Sequence, residues 1–298
     1  MQPGRESQTA VMVAMGRAAA HGITPVTRFS DPPAMVLLPE DARRRLSQFR
    51  AGQAPQGRRA RLAARFFHYR TQMMVARTVA IDDAIRAAGA RQLVLLGAGL
   101  DGRAWRMPEL GESIVWEVDH PDSQARKRSR AAALTQTARE VRFVPVDFTR
   151  DPLGDALAAA GHDPAAPTTW VWEGVVMYLT RAEVDATLAV VSARSAPGSH
   201  LVILYHCPAP LLLGLIGLLL RRLGEPLRSS FAKWEMAAVL HSHGFEVLRD
   251  EGLPAIGGAL GGEVAAATKG MTHMRIVTAV RRADDRPVGG SSATPAAR

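Results

Sequence analysis

Apolar positions in the first ninety residues recur at helical spacing; further along they condense into short, dense runs. Residues 5–20 alternate polar and apolar with the period of an amphipathic helix, and residues 40–50 read as a short charged helix. Pro25, Pro32, Pro33 and Pro39 punctuate the connection between them. A long amphipathic segment covers residues 58–88, and Gly89 stops it where a helix C-terminus is expected. From there the runs predict strands at 93–96, 114–118, 141–146, 169–172 and 200–205. Helices are predicted between them at 101–107, 121–137, 152–160 and 181–195. Near-continuous apolar strands alternating with helices argue for an α/β fold with a parallel sheet covered on both faces.

The alternation breaks after the fifth strand. Residues 208–230 form a hydrophobic and then basic insertion ahead of a helix at 231–243. Two closing strands, 245–249 and 274–280, flank a Gly- and Ala-rich stretch, and the composition of 283–298 predicts a disordered tail. The chain therefore divides into a helical extension, 1–90, and a core, 91–282, that carries the insertion.

Composition changes this picture little. Over 298 residues, 47% hydrophobic and 22% charged content is ordinary for a globular protein. The single cysteine, Cys207, excludes an internal disulfide and a cysteine metal cluster, and fits a cytoplasmic location. Net charge is +9, nearly all from arginine, with clusters at Arg43-Arg44-Arg45, Arg58-Arg59 and Arg126-Lys127-Arg128. Nucleic-acid binding is one reading; charges spread over solvated helix faces are the other. With no nucleic-acid motif and few aromatics for base stacking, no nucleic-acid partner is expected. The N-terminus lacks a signal-peptide pattern, and 211–220 is too short to span a bilayer, so a soluble protein without stable membrane insertion is expected.

The candidate chemistry gathers at strand ends. Gly97-Ala98-Gly99-Leu100-Asp101-Gly102 matches the G-x-G-x-x-G dinucleotide fingerprint, and Asp119 closes the second strand close to the expected distance downstream. An NAD(P)-dependent oxidoreductase is thus one reading. Asp147-Phe148 and Glu173-Gly174 end the next two strands, and carboxylates are counterproductive around a pyrophosphate. S-adenosylmethionine has no phosphate. Its ribose hydroxyls suit Asp119, its adenine amine suits Asp147, its methionyl ammonium suits Glu173, and its carboxylate calls for an arginine.

Several motifs together resemble the leucine carboxyl methyltransferase family. They are Arg77-Thr78 with Ile81-Asp82-Asp83, then Leu96-Gly97-Ala98-Gly99-Leu100-Asp101 with Arg103-Ala104, then Glu117-Val118-Asp119 with Pro121 and Lys127. Val144-Pro145-Val146-Asp147 and Trp172-Glu173-Gly174-Val175-Val176-Met177-Tyr178-Leu179 continue the match. Thr9-Ala10, Val13-Ala14, Arg17-Ala18 and Gly224-Glu225-Pro226 ahead of Phe231 resemble its bacterial branch. One departure is Gly102, where the family commonly has serine.

The resemblance implies a class I methyltransferase fold: a Rossmann-like, seven-stranded, mostly parallel sheet, with the N-terminal helices over the cofactor site and 208–230 as a lid. It implies S-adenosylmethionine as donor. Arg77 would hold the methionyl carboxylate, with Arg17 a further contact. Gly97, Ala98 and Gly99 would bring backbone to the cofactor, Asp119 would bind the ribose, Asp147 and Phe148 would flank the adenine, and Glu173 would approach the amine. No metal is implied.

The acceptor stays open between a small apolar acid or phenol and a protein C-terminal carboxylate. A carboxylate needs no base, whereas a hydroxyl does. His206, past the fifth strand, is the candidate base, with His120 behind it. Tyr178 and Tyr205 are candidates to orient the acceptor. As a lid, the stretch 211–222 would set leucines, Arg221, Arg222 and nearby Arg228 above the methyl group; as a membrane or partner helix it would turn its leucines outward.

Overall fold

The computed structural model describes residues 7–51, 57–148, 150–209 and 227–283. Strands β1 (Gln92–Leu96), β2 (Ile114–Asp119), β3 (Glu140–Pro145), β4 (Thr168–Trp172), β5 (His200–His206), β6 (Phe245–Gly252) and β7 (Met274–Arg281) form one sheet. Its order is β3-β2-β1-β4-β5-β7-β6. β1 to β5 pair in parallel, while β7 runs antiparallel to both β5 and β6. The order reverses between β1 and β4, and such a switch point opens a crevice at the carboxyl ends of the strands.

Alternation along each strand assigns it two faces. Leu93 and Leu95, Val115, Val171, Val202 and Leu204 face one core cluster; Val94 and Leu96, Trp116 and Val118, Trp170 and Trp172, Leu201 and Ile203 face the other. Helices α6 (Leu153–Ala159), α7 (Arg181–Ala193) and α8 (Lys233–Ser242) cover the second face through Leu157, Leu188 and Leu240. The first face is covered by α1 (Gln8–Ala20), α2 (Pro33–Leu37), α3 (Glu40–Arg50) and α4 (Arg58–Ala88). α5 (Pro121–Ala131) joins them through Ala131, and α9 (Leu253–Leu260) and α10 (Gly262–Thr268) through Leu253, Ile256 and Val264.

α1 and α4 set the site's ceiling. Ser7 caps α1 by accepting the Ala10 N–H at 3.1 Å, and Gly89 ends α4 in the left-handed conformation with its N–H on the Ile85 carbonyl. A Cβ on Gly16 would sit 2.6 Å from Met74 Cγ, so the glycine lets α1 lie against α4 and brings Arg17 alongside Arg77.

Several expected elements differ. Residues 101–107 form no α-helix but one short 3-10 turn, Arg103–Trp105, and a second follows at Pro108–Leu110. α5 ends at Ala131 rather than 137, because the Thr137 and Ala138 amides turn back to the Ala104 carbonyl at 3.0 and 2.9 Å. α2, α9 and α10 were not anticipated. Within the insertion, 210–226 lies outside the described residues, and so do 284–298 of the expected tail. Among the described residues, no helix is long and apolar enough to cross a membrane.

Candidate active site

The crevice is built from the residues that leave β1 to β4. After β1 the chain turns through Gly97 and Gly99 with φ of +72° and +48°. A Cβ on Gly97 would lie 2.2 Å from Val175 Cγ2, so this turn accepts no side chain. The Gly97 and Ala98 amides donate to the Val118 carbonyl at 2.8 and 3.0 Å, tying the turn to β2. The Gly99 N–H donates to the Asp119 carboxylate, as does the His120 N–H at 2.6 Å. Burial pushes Asp119 up, and the two amides pull it back. Gly102 is crowded: a Cβ there would be 2.9 Å from Asp31 Oδ1 and 3.0 Å from Pro33 Cβ. Asp31 and Pro33 close in on the position where the resemblance expects a serine.

Glu173 follows β4 and is the centre of an arginine cluster. Arg17 donates to both its oxygens at 2.9 Å, Arg77 to one at 3.0 Å and Arg103 to the other at 3.1 Å. Burial alone would raise Glu173; Arg17, Arg103 and Arg77 outweigh it and hold the carboxyl well below the usual range. Arg103, completely buried, also pairs with Asp82 at 2.8 Å and with Asp101. Arg106 pairs with Asp82 at 2.7 Å and lies 3.6 Å from Asp31. Arg17, Arg77, Arg103 and Arg106 thus interleave with Asp31, Asp82, Asp101 and Glu173 behind the glycine turn.

Beyond β3, Asp147 pairs with Arg150 at 3.0 Å, and Phe148 packs half-buried against the second core cluster. A cavity of about 760 Å3 joins these strand ends. Arg17, Arg77, Gly97, Ala98, Gly99, Asp119, Asp147, Phe148 and Glu173 all line it. On the β4 side its wall is Thr9, Val13, Val175, Met177, Tyr178, Leu179 and Arg228. The Tyr178 hydroxyl donates to Thr9 Oγ1 at 3.2 Å. The Arg228 N–H donates to the Met177 carbonyl at 2.8 Å, and its guanidinium lies 3.2 Å from Glu183.

The proposed bases fare differently. His206 is not among the residues lining the cavity. Its buried ring lies 5.6 Å from that of His273, and burial, with help from His273 and Arg77, pushes it down to about 3. It is therefore a neutral imidazole with little basicity. His120 does line the cavity, but its Nδ1 accepts the Asp122 N–H at 3.3 Å as the cap of α5. Tyr205 is buried with its hydroxyl donated to Asp250 at 2.8 Å, away from the cavity. Among the described residues no group of three or more His, Cys, Asp and Glu is placed to hold a metal.

Arg103, Asp82 and Asp101 were missed as a charge framework although they stand in the motifs. One local signal existed: in Asp101-Gly102-Arg103 the Arg103 N–H donates to Asp101 Oδ1 at 2.8 Å, a turn that Asp-x-Arg can announce. Chemically, the buried Nε atoms of Arg17 and Arg77 have no acceptor among the described residues, so donors remain for an anion beside Glu173. A guanidinium pair next to a carboxylate fits an α-amino acid head group, and Asp119 with its amide-fixed carboxylate fits a vicinal diol.

The family model described as leucine carboxyl methyltransferase matches residues 10–192. A protein of Mycolicibacterium gilvum (strain PYR-GCK), provisionally named an S-adenosyl-L-methionine-dependent methyltransferase, is 39% identical over 173 residues, which are 57% of this chain and 55% of that protein. The chain thus spans about half the length of the curated relatives it matches. Among solved structures, a DUF574 family protein from Streptomyces avermitilis MA-4680 is similar with a TM-score of 0.55 and 16% identity, covering 93% of this chain and 98% of that one. A Thermobifida fusca YX protein provisionally called a methyltransferase has a TM-score of 0.54 and 14% identity, covering 95% and 97%. At these identities the two structures speak for the fold alone.

Proposed function

Because the chain belongs to the leucine carboxyl methyltransferase family, we propose that it is an S-adenosylmethionine-dependent O-methyltransferase whose acceptor is a small apolar acid or phenol. The observation that carries this reading is the charge pattern of one cavity: Asp119, Asp147 and Glu173 at successive strand ends, with Arg17 and Arg77 against Glu173. A dinucleotide pyrophosphate placed on the same glycine turn would meet Asp101 and Glu173, which speaks against the oxidoreductase reading.

In this assignment Arg77 and Arg17 hold the methionyl carboxylate and Glu173 the ammonium. Gly97, Ala98 and Gly99 let backbone approach the donor, Asp119 takes the ribose hydroxyls, and Asp147 and Phe148 flank the adenine. The bound donor supplies a methyl carbon already activated by its sulfonium. The chain's own contribution is alignment and the exclusion of water, with Val13, Val175, Met177 and Leu179 as the apolar wall for the acceptor. A carboxylate acceptor is favoured over a hydroxyl, because it arrives as a nucleophile and the buried, weakly basic His206 is not required.

Calorimetry with S-adenosylmethionine tests the donor: Arg77→Ala and Asp119→Ala should each weaken binding at least tenfold, the loss of charge-assisted hydrogen bonds of about 1.5–3 kcal/mol. Unchanged affinity in both variants would overturn the assignment. A methyl-transfer screen against lipophilic acids and phenols tests the acceptor, a base-labile product methyl marking an ester.

A further inference from the structure

The positive charge of this molecule has an address. Between Ala42 and Ile81 lie ten arginines and no Asp or Glu, leaving 27 basic residues against 28 acidic ones in the rest of the chain. The excess that makes the protein basic therefore belongs to α3 and the first part of α4. Some of it is engaged: Arg77 faces the cavity, Arg45 pairs with Asp41 at 2.7 Å, and Arg50 donates to the His21 carbonyl at 2.6 Å. The outer end of α4 is different. Arg58, Arg61 and Arg65 are exposed there, and among the described residues none of them has an acidic partner. Arg65 lies over the Tyr69 ring at 5.7 Å and Arg70 over the Phe66 ring at 6.0 Å.

Between these cations α4 turns two large apolar side chains to solvent, Leu62 at 69% and Phe66 at 62% exposure. At about 100° per residue they form one strip, with Arg58, Arg61 and Arg65 on one side and Arg70 on the other. The same strip continues down the helix through Met73 to Arg77, so the exposed end lies on the side of α4 that faces the cavity. Scattered surface apolar residues are ordinary, but a protruding Leu–Phe pair beside three exposed arginines that have no acidic partner among the described residues is not.

We propose that the outer end of α4 is a docking face for an anionic lipid surface, with Leu62 and Phe66 entering the acyl boundary and the exposed Arg58, Arg61 and Arg65 meeting the phosphates. Charge complementarity selects this occupant. A second copy of the chain would set arginines against arginines. A nucleic acid would use the cations but leave Leu62 and Phe66 in water. A lipid surface satisfies both, since arginine keeps its charged head at the phosphate level while its stem lies along apolar surface. The inference is independent of the methyl-transfer reading, although it would set the cavity on the side from which a lipid-dissolved acceptor comes.

The test is cosedimentation of the full chain with phosphatidylcholine vesicles containing or lacking roughly 30% phosphatidylglycerol, a fraction chosen to give a clear negative surface potential. Binding is expected to the anionic vesicles only. Two variants, Arg58→Gln/Arg61→Gln/Arg65→Gln and the charge-neutral Leu62→Ser/Phe66→Ser, should each lose binding at least tenfold while keeping the wild-type circular-dichroism melt. Absence of binding to the anionic vesicles overturns the proposal. So does full binding by Leu62→Ser/Phe66→Ser together with equal retention of duplex DNA, which would mean an unspecific polyanion surface. A concentration-dependent dimer in sedimentation velocity that Leu62→Ser/Phe66→Ser abolishes would overturn it in favour of a second copy.

Discussion

Arg103 shows how much of this site depends on a side chain that no ligand need touch. It is completely buried, and its guanidinium joins α4, the glycine turn and the end of β4 through Asp82, Asp101 and Glu173. Truncation leaves those carboxylates facing one another in a dry environment, and breaking such a pair from one side costs about 3–5 kcal/mol. Arg103→Ala should therefore lower the urea midpoint strongly and weaken S-adenosylmethionine binding together, the second effect following from a displaced Glu173. The two kinds of residue were unequally legible. Gly97, Gly99, Asp119, Asp147 and Glu173 could be read because each stands at the end of an apolar run, where topology alone sends strand ends to one crevice. Beyond neighbouring Asp101, Arg103 has its partners 21 and 70 residues away in sequence, and no periodicity links them. His206 also stands at a strand end, yet β5 lies next to antiparallel β7, whose side brings His273 against its ring.

At the scale of elements, the strands were easier to foresee than the helices that close the first face. Short, dense apolar runs located all seven strands, since strands that bury side chains on both faces read as near-continuous apolar stretches. α9 and α10 were invisible because Gly257, Gly258, Gly261 and Gly262 argue against helix by propensity. They form through packing, with Leu253, Ile256 and Val264 buried beside α4. Gly257 makes the conflict measurable. In an exposed helix, Gly→Ala would stabilise by about 1 kcal/mol. Here a Cβ would meet the Thr268 Oγ1 at 1.9 Å, and that buried hydroxyl is itself donated to the Val264 carbonyl at 2.8 Å. Overpacking of this kind costs about 1–3 kcal/mol, so Gly257→Ala should lower rather than raise the melting temperature. α2 was hidden by the opposite signal: Pro32 and Pro33 read as punctuation, yet proline suits the first turn of a helix.

For the whole molecule, buried carboxylates divide the pH range of stability. Burial pushes Glu117 up to about 7 despite Lys127 at 2.6 Å, whereas Asp82, Asp101 and Glu173 are held low by arginines. A folded pKa above the unfolded value of 4.5 means that the native state binds more protons in that interval, so the contribution of Glu117 is full below it and falls as pH rises through 7. At about 1.4 kcal/mol per pH unit the loss is of the order of 3 kcal/mol, visible as a lower unfolding free energy by urea at pH 8 than at pH 5. Glu117→Gln/Lys127→Met should flatten that slope. The depressed carboxylates act in the opposite sense: their stabilisation holds above the unfolded pKa and is lost as pH falls, which sets the acid limit. The arginine cluster around Glu173 also governs how the site responds to electrolyte. A ligand carrying both an ammonium and a carboxylate exchanges partners with ions already paired, at a depth that mobile ions do not screen. Donor affinity should accordingly be nearly indifferent to ionic strength, while events at the exposed arginines of α4 should fade as the Debye length shortens.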